Sequence, residues 1–184
     1  MGKSRLEAFT DGVVAIIITI LVLDLHLSDT NHTLAELAAK VPTFIAYTTS
    51  FIGIAAIWIN HHHIFTQVKT VTEPILWTNI NFLFWLSLSP AATAWFGSDI
   101  MSPLAAFVYQ FDIILFNLAF LWLRRTVLHE NHEIDSPRIS REVASIAVNV
   151  VALIALWVFP PIVFIALLAN VSIWVIPWRH ILQR

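Results

Sequence analysis

Arg5 to Leu23 reads RLEAFTDGVVAIIITILVL, and its second half decides the fold. Val13 to Leu23 is apolar except for Thr19, which is too long an uncharged run for an amphipathic surface helix and the right length to enter a bilayer. The same texture recurs down the chain. Spans are predicted at about 6–27, 41–65, 75–96, 103–123, 141–159 and 162–178, the second after a short amphipathic lead-in from Thr33 to Lys40. Six crossings of about 20 residues consume roughly 120 positions. The chain has 184, of which 58% are hydrophobic and only 12% charged. A soluble domain is about a quarter charged. The expectation is therefore an all-α, polytopic membrane protein of six transmembrane helices, with residues 1–184 forming one domain. No chain is left over for a soluble catalytic domain, and an enzyme is not expected.

Charge and rare residues narrow the classes further. Ten basic and twelve acidic residues give a net charge of −2, which points to no nucleic acid partner. Cysteine is absent, which removes disulfides, thiolate metal sites and cysteine nucleophiles. The first apolar run follows Asp11 without a small-residue cleavage site and reads as a true span rather than a leader. With six crossings, Lys3, Arg5, Lys69, Arg124, Arg125, Arg138, Arg141, Arg179 and Arg184 share one side, and only Lys40 lies opposite. By the positive-inside bias both termini are cytoplasmic, and the cell membrane is the expected location. Trp77, Trp95, Trp122 and Trp178 fall near span ends, where an aromatic belt places them.

At about 100° per residue, Val13, Ile16, Thr19, Ile20 and Leu23 form one stripe of the first helix. Any apolar span of this composition has such a stripe, so by itself it is equally a lipid-facing surface. Asp11 points away from it, and a carboxylate near a span end must be hydrated, paired or hydrogen-bonded. It reads either as an interfacial charge favoured by the helix dipole or as half of a polar junction. The second span ends Trp58-x-Asn60-His61-His62-His63-x-Phe65. Three consecutive imidazoles point three ways around a helix, so they do not converge on one metal. A metalloenzyme would need His129 and His132 from the following cytoplasmic loop, and carboxylate ligands are not placed among them. The remaining readings are a plain interfacial cluster, or a hydrogen-bonded junction joining His61 and Trp58 to Asp11, Arg5 and the Asn79/Asn81 start of the third span. Asp112, inside the fourth span with Tyr109 and Asn117 nearby, is either a structural carboxyl between helices or the coupling acid of a secondary transporter. Transporters usually carry repeats and broken helices, and neither is evident in the sequence. With 4 Gly and only short loops, a carbonyl-lined filter is not expected either.

Arg5-x-x-x-Phe9-Thr10-Asp11 resembles the R-x-x-x-F-S-D signature of the transmembrane protein 175 potassium channels, with Thr10 retaining the hydroxyl of the usual serine. Trp58-x-Asn60-His61-His62, and Asn79 with Pro90, are supporting matches. A single set of six spans is similar to the family's prokaryotic branch. The resemblance implies a homotetramer in the lipid bilayer, with the first helix of each subunit lining a central pore that passes K+ ions. It maps the pore's apolar constriction onto Ile16, Ile20 and Leu23 and its threonine, a candidate for selectivity, onto Thr19. The motif's hydrogen-bonding role falls on Arg5, Phe9, Thr10 and Asp11, and we add Trp58 and His61 to that network. No metal and no cofactor other than the permeant ion is expected. Asp24 and Asp29 are expected near the outer mouth, where they would concentrate cations.

Overall fold

The computed structural model describes residues 2–23, 25–27, 32–134 and 140–175. Asp24, Asp29, Arg138, Trp178, Arg179 and Arg184 lie outside the described residues. Those described fold as eight helices: α1 (Lys3–Leu23), α2 (Leu34–Ala39), α3 (Val41–Gln67), α4 (Glu73–Leu86), α5 (Ser89–Ser98), α6 (Pro103–Glu130), α7 (Ser140–Ala155) and α8 (Ile162–Val175). Helices α1, α3 and α6 are each long and apolar enough to cross a bilayer alone. The amphipathic lead-in is the short helix α2, capped by the Thr33 side chain, which accepts from the Glu36 amide.

The third predicted span corrects the sequence reading. It is two helices, α4 and α5, separated by a turn at Ser87–Leu88. Pro90 is the cause. It has no amide to donate, and its ring would collide with the carbonyl of Leu86 four residues back, so the helix stops and restarts. Ser87 seals the end of α4 with its amide on the Leu83 carbonyl and its hydroxyl on that of Phe84. At 1.5 Å per residue the two pieces together still cover the depth of a bilayer.

Helix α6 is the central post, packed against α4, α5 and α7, while α3 packs against α5 and α8. Helix α1 sits on the flank formed by α3, α4 and α5. The core is apolar and aromatic, with Phe65, Phe82, Phe96 and Phe120 fully enclosed. Close approach of α3 and α5 depends on Gly97. A Cβ there would lie 3.1 Å from the Thr43 Cα, and the Gly97 carbonyl accepts from the Thr43 hydroxyl at 2.9 Å. The loop from α3 to α4 is pinned by Asn131 at the end of α6. Its Oδ1 accepts from the Lys69 and Thr70 amides, and its Nδ2 donates to the Thr70 carbonyl. Helix α6 runs on to Glu130, so the charged connection after it is shorter than the sequence suggests.

Candidate functional site

Helix α1 has two faces. Leu6, Thr10, Val14, Ile17 and Leu21, spaced by three and four, are buried against α3, α4 and α5. The opposite stripe carries Phe9, Ile16, Thr19, Ile20 and Leu23, and the chain's own bundle leaves it open: Ile16 is 59% exposed, Ile20 42% and Leu23 66%. The four residues assigned to a pore therefore share one uncovered apolar face. The Thr19 hydroxyl, on the exposed face, donates to the Ile16 carbonyl at 2.9 Å, which spends its proton and leaves the oxygen to act as an acceptor.

Two hydrogen bonds fix the rotation of α1. The Trp58 indole Nε1 of α3 donates to Oδ1 of Asp11 at 2.8 Å. On the next residue, the Thr10 hydroxyl accepts from Asn79 Nδ2 of α4 at 2.9 Å. With its amide nitrogen so used, Asn79 turns Oδ1 toward His61 Nε2, 2.9 Å away, and that nitrogen must carry the proton. Thr10, His61 and Asn79 are each at most 2% exposed, so this bridge is sealed from solvent. The His61 ring is sandwiched in stacking contact with Phe65 at 4.1 Å and Phe82 at 5.9 Å. His62 stacks instead on Trp58, and His63 is exposed, so the triplet diverges as its spacing requires. Among the described residues no three His, Asp or Glu side chains converge as a metal site.

Of the motif residues, Thr10 and His61 meet through Asn79, and Asp11 pairs with Trp58. Arg5 and Phe9 stand apart from that set: both are exposed on α1, and Arg5 makes no ion pair among the described residues. Lys3, two residues earlier, secures the start of the helix by donating to the Thr66 carbonyl at 3.0 Å.

A second polar group lies deeper in the bundle. Ser89, the first residue of α5, donates to Asp112 Oδ2 at 2.7 Å. Thr93 donates to Ser50, whose oxygen is 2.8 Å from the Tyr109 hydroxyl. A third, uncharged group ties the last helices together: Gln110 and Asn170 both donate to Asn149 Oδ1, and Ser145 donates to Asn170 Oδ1. Apart from Asp112 and Tyr109, none of these residues attracts attention in the sequence. Single Ser, Thr, Asn and Gln residues in separate apolar runs acquire meaning only when packing makes them neighbours.

The model of the family described as endosomal/lysosomal potassium channel TMEM175 matches residues 5–90, the segment that holds the whole α1 junction. A protein of Chryseobacterium sp. (strain P1-3), named a potassium channel, is 38% identical over 98% of this chain and 96% of its own length. The chain belongs to the TMEM175 family. A Streptomyces collinus protein of the same naming is 35% identical over 73% of this chain and 71% of its own. Among solved structures, a crystal structure titled as a lysosomal potassium-selective channel TMEM175 homolog from Chamaesiphon minutus superposes with a TM-score of 0.84. It covers 93% of this chain and 95% of that one at 25% identity. The mouse endosomal/lysosomal proton channel TMEM175 is 34% identical, but the match takes in only 21% of its length. With the Chryseobacterium TMEM175-family protein the likeness runs nearly end to end, whereas the mouse match takes in half of this chain.

Proposed function

We propose that four copies of this chain form a potassium-preferring cation channel of the cell membrane, residues 1–184 acting as one channel unit with both termini in the cytoplasm. The two-faced α1 carries the reading. One stripe is locked into the subunit by Thr10, Asp11 and their partners, while the other offers Ile16, Thr19, Ile20 and Leu23 to whatever lies beyond the chain. One helix cannot enclose a pore, so permeation needs a symmetric ring. Rings of Ile16, Ile20 and Leu23 make apolar constrictions that exclude ions by dewetting, and opening must widen or rotate them. Thr19 adds a ring of hydroxyl oxygens whose protons are held by the Ile16 carbonyls, so that they act as acceptors. Hydroxyl oxygens replace the loosely held water of potassium more readily than that of sodium, and flexible side chains make the preference modest. The names of the bacterial relatives support potassium as the ion. The nine-to-one distribution of Lys and Arg supports the orientation.

The test is potassium and sodium flux in reconstituted vesicles, with the mass of the solubilised assembly measured alongside. The expected result is passive, voltage-following flux that favours potassium, from a particle four times the 20.8 kDa chain. The helix break beside the Ser89–Asp112 bond is the observation that favours a transporter instead. Flux that stops without a proton gradient or counter-ion would select that reading.

A further inference from the structure

Asp112 lies nine residues into α6, about 13.5 Å along its axis, and is only 6% exposed. Its Oδ2 accepts from Ser89, but Oδ1 is buried without a hydrogen-bond partner. The carboxyl borders a small cavity among α3, α5, α6 and α8, lined on its apolar side by Ile54, Phe116 and Leu167, with room for about one water molecule. Each helix packed around it contributes an uncharged group: α3 brings Ser50, α5 brings Ser89 and Thr93, α6 brings Tyr109, and α8 brings Leu167. Among the described residues no Lys, Arg or His lines the cavity. Gly53 keeps it open, since a Cβ there would lie 3.2 Å from the Leu167 side chain.

A carboxylate in a bilayer-spanning bundle without a countercharge costs several kcal/mol. The described residues supply no positive group at this cavity, so the unit of positive charge is drawn from solution. The geometry points to Asp112 as an exchangeable site for one monovalent cation, a proton or a small alkali ion, held inside each subunit and away from α1. A proton would sit on Oδ1, the oxygen left without a donor. An alkali ion would use that oxygen together with the hydroxyl oxygens of Ser50, Ser89 and Thr93, hard ligands that suit a hard cation. One carboxylate and neutral hydroxyls match a single charge rather than two. The site does not depend on which residues line the pore.

Infrared difference spectroscopy of the protein in lipid vesicles tests it. Wild type is expected to lose a protonated-carboxyl band as the buffer moves from acid to alkaline, and Asp112→Asn to lack that band. If sodium or potassium, but not choline, also depletes the band at fixed pH, the alkali ion competes for the site; if pH alone depletes it, the ligand is the proton. Spectra of wild type and Asp112→Asn that superpose in every buffer overturn the proposal. So does a band that the substitution removes but no buffer changes, because the charge is then not exchangeable. Should Asp112→Asn fail to fold, Ser89→Ala keeps the acid and removes its donor. The band must then shift in frequency, and an unmoved band is equally fatal.

Discussion

The Trp58 indole reaches across from α3 to Asp11 on α1, 2.8 Å from nitrogen to oxygen, in a hydrogen bond from a neutral donor to a charged acceptor. Trp58→Phe and Asp11→Ala should each lower the thermal unfolding temperature in detergent. Their effects should be less than additive, with a coupling of about 1 kcal/mol. Strict additivity in the double-mutant cycle would mean that the bond holds nothing.

Asn79 serves two partners, so its loss should cost more than the loss of either. Asn79→Ala leaves His61 Nε2–H and the Thr10 hydroxyl buried and unpaired, at about 2–4 kcal/mol, whereas Thr10→Val ends one bond. Unfolding followed by tryptophan fluorescence should rank Asn79→Ala as the more damaging. Equal losses would place the two bonds outside the stability of the fold.

Much of this was legible before the structure. The length and purity of the apolar runs announce six crossings, and Arg5-x-x-x-Phe9-Thr10-Asp11 with Trp58 and His61 announces the family and the neighbourhood of the α1 junction. The α4–α5 break was not read, although Pro90 was in plain view. Hydropathy integrates over a window and does not register one missing amide. Arg5 illustrates the opposite limit, since a motif position says nothing of where a guanidinium points in a single chain. The hydroxyls around Asp112 were invisible because α3, α5 and α6 meet there from positions tens of residues apart.

At the proposed constriction, Leu23→Ala and Ile16→Ala should each raise resting ion leak in vesicles, because a smaller side chain widens and wets an apolar ring. Both residues are exposed on the single chain, so neither change should much alter folding yield. Unchanged flux at full yield would remove the residue from the narrow part of the pore.

Thr19→Val preserves shape and deletes the oxygen. Potassium-over-sodium preference should fall toward unity while total conductance persists, as read from reversal potentials under asymmetric salt. A preserved ratio would exclude Thr19 from selection.

Gly97→Ala should destabilise by about 1–3 kcal/mol through overpacking, because the new methyl meets the Thr43 backbone at 3.1 Å. A melting temperature equal to wild type would show that α3 and α5 separate there freely.

The interruption at Ser87–Leu88 has a mechanical corollary. Both half-helices pack against α1, and α4 is joined to it by the Asn79–Thr10 bond. A rigid rod would force the two footholds to travel as one. With an elbow between them, the α4 foothold at Thr10 is not rigidly tied to α5.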